Sequence, residues 1–294
     1  LTKHEIRRLR YGILGELEIN APIRIHHIQV RRYCMSATGI ELRHQREIEH
    51  FNKVYREESL SDPLVLSRAD EQRYAQPPRS TIFSKEYCYY LAGDLHGKRV
   101  LEIACGNGTD TSLLALRGAH VCAYDISPEA VALTKKRAEA NGLGDRVEVQ
   151  TCGDLNEAFP GQTFDIIIGF AALHHLPLEG LGEQLAQRLN PGGVAVFQEP
   201  VVNSQWLDRL RRLIPYRVVE ITEDEEPLND VAIAELAKPF ASIERREFEC
   251  ISRIYPMIPF RWGRRLLFRL DRILMTVPLL RRFASVVCFG LRKA

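Results

Sequence analysis

Residues 100–109, VLEIACGNGT, restrict the folds open to this chain more than any other stretch. Val100, Leu101 and Ile103 form an apolar run broken only by Glu102, the pattern of a strand covered on both faces of a parallel sheet. Gly106 and Gly108 follow at once, and without side chains they let the backbone approach whatever lies above the turn. Leu113, Leu114 and Leu116 then take helical spacing up to Gly118. Buried strand, bare turn and helix make the repeating unit of doubly wound α/β sheets.

The next stretch extends that unit. Residues 119–125, AHVCAYD, form a second strand ending on Asp125, and an acid at the tip of the second strand is where α/β nucleotide sites hold ribose hydroxyls. Dinucleotides and S-adenosylmethionine both suit this plan. A dinucleotide turn wants G-x-G-x-x-G, so that a helix N-terminus faces the pyrophosphate, and here Thr111 stands in place of the third glycine. Glu102 would repel a pyrophosphate and attract the cationic amino group of a methionine. Residues 102–108, EIACGNG, resemble the first motif of the class I S-adenosylmethionine-dependent methyltransferases, E/D-x-G-x-G-x-G, with Ala104 in place of the first glycine. An NAD(P)-dependent oxidoreductase is the alternative enzyme, and a non-catalytic cofactor-binding partner protein the alternative of another class.

Later segments carry the same resemblance. Residues 146–152 alternate as a third strand leading into Gly153-Asp154-Leu155. FDIIIGFAALHHL, residues 164–176, is a buried fourth strand with its loop, similar to the fourth motif of small-molecule methyltransferases, including those of quinone biosynthesis. It lacks the Asn/Asp-Pro-Pro-aromatic turn of enzymes that methylate base amines. Residues 189–193, LNPGG, end a helix before a fifth strand at 194–198, and Ser242 and Ser285 begin the expected sixth and seventh strands.

The resemblance implies a Rossmann-like doubly wound α/β sheet of seven strands, the last antiparallel, with helices on both faces. It implies S-adenosyl-L-methionine as cofactor, held by Glu102, Ala104, Cys105, Gly106, Asn107, Gly108, Asp125, Ile126, Asp154, Leu155 and Phe170. Ser127 reads as the N-cap of the following helix, and Asp154 could equally cap the next turn. Of the adjacent histidines, His174 stands where similar enzymes place a base beside the methyl acceptor, since an imidazole can take a proton from a phenol or hydroxyl near neutral pH. Glu199 falls on the ligand-binding rim and could orient substrate. Tyr87 is a remote candidate. Adjacent histidines without a nearby carboxylate or cysteine at ligand spacing do not make a metal site.

Composition excludes some classes. Lys plus Arg number 40 against 38 Asp plus Glu, so the net charge of +2 does not call for nucleic acid as partner. Seven scattered cysteines without a C-x-x-C fit a reducing compartment better than a disulfide frame, and no run is long enough to span a bilayer, so a cytoplasmic location is expected.

The chain divides into an arm at 1–40, which need not be ordered, N-terminal helices and a lid at 41–96, a cofactor-binding core at 97–250, and a basic substrate-cap insertion with the final strand at 251–294. The first methionine is Met35, and residues 1–34 are read as an upstream extension. A helical pattern runs through Ile48, Phe51, Val54 and Tyr55, and the proline-broken stretch 58–80 suits a lid or a wrapping segment. Residues 251–294 hold nine arginines and one lysine against Asp271 alone, with Leu266, Leu270, Ile273 and Val277 on one helical face. Such a face either caps an apolar acceptor pocket or meets an anionic membrane or an acidic carrier. The acceptor is expected to be a small, apolar molecule; oligomeric state is not readable.

Overall fold

The computed structural model describes residues 37–61, 63–204, 227–252, 254 and 258–294. The arm 1–34, the helical spacing of Trp206 to Leu213 and the acidic run at 220–226 lie outside the described residues.

One seven-stranded sheet organises the molecule: β1 (Arg99–Ile103), β2 (His120–Asp125), β3 (Val147–Thr151), β4 (Phe164–Phe170), β5 (Leu189–Pro200), β6 (Ser242–Phe248) and β7 (Val286–Arg292). Their order is β3-β2-β1-β4-β5-β7-β6. β3, β2, β1, β4 and β5 are parallel, and β7 runs antiparallel between β5 and β6. The topology is the expected one.

The central strands β1, β4 and β5 are largely apolar because both faces are covered. On β1, β4 and β5, Val100, Ile166, Ile168, Val194 and Val196 enter one core, while Leu101, Ile103, Ile167, Ala195 and Phe197 enter the other. The first core is closed by helices α3 (Ser84–Ala92), α4 (Thr109–Leu116) and α5 (Pro128–Ala140); α1 (Ala37–Ser59) and α2 (Arg68–Ala75) precede them. The second core is closed by α6 (Leu181–Arg188) and α7 (Asp230–Ala237). Two further helices, α8 (Arg261–Leu274) and α9 (Pro278–Arg281), are inserted between β6 and β7.

Local chemistry sets the element ends. Ser67, Ser127 and Asn229 cap α2, α5 and α7 by accepting backbone N–H bonds, and Pro128 opens α5 where no donor is needed. The LNPGG segment differs from the turn expected: β5 already pairs at Leu189 with Phe164, then shifts register so that Ile166 faces Val194. The extra residues are taken up within the strand, with Gly192 at φ +72°.

Because α1 and the 63–66 segment both meet α5, the described residues before β1 are tied to the fold. Arg137 Nη1 donates to the Pro63 carbonyl at 2.9 Å and its Nε to the Asn107 carbonyl at 2.8 Å. Residues 63–66 thus wrap the outside of α5, whereas α1 lies across the rim: Arg56 meets Glu129, Ser127 Oγ donates to Asn52 at 2.7 Å, and Asn107 donates to Glu58 at 2.9 Å.

Candidate active site

The carboxyl ends of β1, β2, β4 and β5 form one rim, and parallel sheets bind ligands there. The bare turn after β1 is bent by Gly106 at φ +55° and Gly108 at φ +75°. The two glycines serve different needs. A Cβ on Gly106 would lie 2.8 Å from the Tyr55 hydroxyl oxygen on α1, and one on Gly108 would lie 2.6 Å from the backbone Cα of Thr134 on α5. Gly106 therefore lets the Tyr55 hydroxyl of α1 sit close against the turn, while Gly108 lets two helices approach. Ala104, where the motif ordinarily has glycine, sits at φ +56° and is exposed. A second alanine on the rim, Ala171 after β4, has φ +55°. Backbone strain of this kind gathers at ligand sites.

Asp125 stands across the turn from Gly106. Its Oδ2 accepts the Gly106 N–H at 2.9 Å and its Oδ1 accepts the Ser127 N–H at 2.9 Å. A carboxylate oxygen has two lone pairs, so each keeps the capacity to accept one ribose hydroxyl. Burial pushes the Asp125 carboxyl above its ordinary range, opposed by those two backbone donors. Ile126 follows, half-buried, and Gly153 faces it: a Cβ there would meet the Ile126 Cδ1 at 3.3 Å. Asp154 is exposed and caps its own turn by accepting the Asn156 N–H at 2.7 Å, while Leu155 is buried in the core beneath.

At the other end of the turn, Glu102 is buried and accepts a short hydrogen bond from the Thr111 hydroxyl at 2.5 Å. Burial, reinforced by the field of Asp110, raises its carboxyl well above the usual range. Lys85 Nζ meets Asp110 Oδ2 at 2.6 Å and lies 5.1 Å from the ring centre of Phe170; the Tyr89 hydroxyl donates to Asp110 at 2.9 Å. Lys85 and Asp110 were not singled out from sequence. A lysine in the first turn of the apolar helix KEYCYYLA, with an acid two residues past Gly108, was the available signal. Cys105 and Asn107 act differently from each other: the Cys105 thiol is buried 3.5 Å from Thr134 Oγ1, and Asn107 Oδ1 accepts the Thr109 N–H at 3.0 Å as α4 begins. Tyr87 turns away to the far sheet edge, where its hydroxyl donates to Glu244 at 3.0 Å.

A second group stands at the ends of β4 and β5. Glu199 is buried; its Oε1 accepts the N–H groups of Ala172 at 2.9 Å and Leu173 at 2.8 Å, and its Oε2 lies 2.8 Å from His174 Nδ1. The His175 ring lies 4.1 Å from that of His174 but has other partners: its Nδ1 faces Glu47 of α1 at 3.4 Å, and its ring meets Phe51 edge-on. Among the described residues no group of three potential metal ligands comes together.

The set suits S-adenosylmethionine. Asp125 offers acceptors to ribose hydroxyls, Ile126 and Gly153 offer an apolar wall to a base, and Glu102 at the end of β1 would pair with a cationic amino group by giving up its proton. Such a cofactor supplies an electrophilic methyl group on a sulfonium.

Comparison with known proteins finds methyltransferases. A methyltransferase domain model matches residues 100–193. The chain is similar to a ubiquinone biosynthesis O-methyltransferase of Xylella fastidiosa, 32% identical over 127 residues, covering 40% of this chain and 51% of the relative. It is also similar to a ribosomal protein L11 methyltransferase of Methylococcus capsulatus, 41% identical over 107 residues, covering 36% and 34% respectively. The chain thus spans about half the length, or less, of these curated relatives. Among solved structures, a magnesium protoporphyrin IX methyltransferase from Synechocystis with bound S-adenosylhomocysteine aligns over 86% of this chain and all of its own, at 16% identity and TM-score 0.49.

Proposed function

We propose that this chain, a member of the class I S-adenosylmethionine-dependent methyltransferase family, transfers a methyl group to a small, apolar organic acceptor. The observation that carries the reading is the placement of the Asp125 carboxylate against the Gly106 N–H, on the same rim as the His174–Glu199 pair. One end of that rim suits a nucleoside and the other a proton acceptor, with α1 lying across both.

The transfer is an in-line displacement. The acceptor atom forms its bond to the methyl carbon as the carbon–sulfur bond breaks, and the bonding pair stays on sulfur. The chain contributes alignment and exclusion of water. His174, its Nδ1 engaged by Glu199, takes the proton of an acceptor hydroxyl through Nε2. Glu199 is a positioning residue: it fixes the tautomer and stabilises the imidazolium that forms.

Calorimetric titration tests the reading. S-adenosylhomocysteine is expected to bind with micromolar or better affinity while NAD and NADP give no heat, and tritium from methyl-labelled S-adenosylmethionine is expected to enter an organic extract of the host cells. Binding of NAD with none of S-adenosylhomocysteine would restore the oxidoreductase alternative. Cofactor binding with no label transferred to any extract would restore the non-catalytic one.

A further inference from the structure

The insertion between β6 and β7 leaves the sheet at the functional rim. Phe248, the last residue of β6, pairs with Val286, which also pairs with Pro200 beside Glu199. The first long element of the insertion, α8, is strongly two-sided, and its apolar residues do not share one face.

One set faces the fold. Leu267, Phe268 and Asp271 are buried, as is Met275 just beyond the helix. Asp271 Oδ1 accepts the N–H of Ile251 at 2.8 Å and Oδ2 the hydroxyl of Ser252 at 2.7 Å, which fastens the helix to the chain leaving β6. The other set faces outward: Trp262 is 69% exposed, Leu266 49%, Leu270 44%, Ile273 61% and Val277 45%. At about 100° per residue the four positions on the helix, Trp262, Leu266, Leu270 and Ile273, fall within an arc of about 80°, on the side roughly opposite the buried set, and Val277 follows beyond the helix end. The face that could have covered an acceptor pocket is therefore turned to the outside.

Charge decides what this stripe can meet. Arg265, Arg269 and Arg282 are exposed and Arg272 half-exposed along the same insertion; of its two acids, Glu249 is its first residue and Asp271 is spent on the interior. Phe260 and Trp262 stack at the start of the helix, ring centres 6.0 Å apart, and both are exposed. Pairing with a second copy would set these arginine rows against each other. A single convex helix with apolar side chains along its crest, arginines beside them and aromatics at one end matches a helix lying in the plane of an anionic bilayer. No helix among the described residues is long and apolar enough to cross a membrane.

We infer that α8 docks this protein on anionic lipid membranes, with the outward residues Trp262, Leu266, Leu270 and Ile273 entering the headgroup region and the arginines meeting lipid phosphates. The docking stands apart from methyl transfer. If both hold, the rim bearing His174 opens close to the lipid surface, and an apolar acceptor reaches it from the bilayer.

Sedimentation of the full chain with vesicles tests this. Binding is expected to phosphatidylcholine vesicles containing a third phosphatidylglycerol and not to phosphatidylcholine alone, and to weaken as salt rises. Leu266→Glu with Ile273→Glu, and separately Arg265→Glu with Arg269→Glu, should each lower the partition coefficient by about tenfold or more. Unchanged S-adenosylhomocysteine affinity in these variants shows that they fold, and keeps failure here distinct from failure of the cofactor reading. Absence of wild-type binding to anionic vesicles, or undiminished binding by both variants, overturns the inference. So does a dimer in light scattering that Leu266→Glu dissolves while vesicles remain unbound, or binding to a purified acidic carrier protein with none to vesicles.

Discussion

His174 Nδ1 lies 2.8 Å from Glu199 Oε2, and the other oxygen of the same carboxylate holds the backbone N–H groups of Ala172 and Leu173. Glu199 therefore fixes both the histidine ring and the loop that carries it. His174→Ala is expected to slow methyl transfer by about 10²–10⁴-fold, the usual range for a general base, with S-adenosylhomocysteine affinity changed less than about threefold. Glu199→Gln should slow turnover less and shift its pH profile, because an amide holds the ring without stabilising its charged form. Equal rates for His174→Ala and the parent chain would remove the imidazole from the reaction.

Asp125 carries the opposite expectation. Its oxygens accept from Gly106 and Ser127, so Asp125→Ala leaves two N–H groups unpaired and removes the acceptors for ribose. Asp125→Asn keeps one acceptor oxygen. Calorimetry should find S-adenosylhomocysteine affinity at least about tenfold weaker in Asp125→Asn, with a larger loss in Asp125→Ala, a change of about 1.4 kcal/mol or more.

Proton linkage at the same site has a definite sign. Burial holds Glu102 well above the ordinary carboxyl range and Asp125 above it, so the folded chain keeps protons that the unfolded chain releases at the same pH. Stability without cofactor should then fall as pH rises from the ordinary carboxyl range towards those raised values. Glu102→Gln should flatten that slope in denaturant titrations at several pH values. Cofactor binding runs the other way: a cationic amino group favours the ionised carboxylate, so affinity should rise with pH and binding should release protons. Titration in buffers of different ionisation enthalpy reads that release directly, and a proton uptake would contradict the placement of the amino group near Glu102.

Much of this was legible in sequence because buried parallel strands leave continuous apolar runs. The fourth strand, FDIIIGF, begins and ends where periodicity places it, at Phe164 and Phe170. The bare turn and the terminal acid of β2 could be located as well, although a glycine turn also serves packing, as Gly108 does against Thr134. Long-range pairings were not. Glu199 read as a rim acid that could orient substrate, because nothing local to β5 shows that His174, 25 positions earlier, would cover it. Lys85 was lost for the same reason, since its partner Asp110 lies beyond β1. The stripe on α8 was found by spacing, but periodicity shows only that a face is apolar and not whether protein covers it.

The two glycines and the alanine of the turn permit a final contrast. Ala104 sits at φ +56°, a conformation that costs an L-residue about 1–2 kcal/mol, so Ala104→Gly should relieve strain. The freer unfolded chain of the glycine variant cancels part of that, leaving a gain of roughly 0.5–1 kcal/mol in denaturant unfolding. Gly106→Ala and Gly108→Ala both add strain at positive φ, but they meet different neighbours. The new methyl group at 106 would press on the Tyr55 hydroxyl, the end of a side chain on α1 that can turn aside; at 108 it would press on the Thr134 Cα, which α5 holds in place. Gly108→Ala should therefore be the more damaging to the fold, by about 1–3 kcal/mol beyond the strain term. Gly106→Ala should remain folded yet weaken S-adenosylhomocysteine binding, because its methyl group enters the space over the turn. Equal unfolding midpoints for the two variants would mean that α5 yields as readily as a tyrosine side chain, and that Gly108 is not where α4 and α5 are locked together.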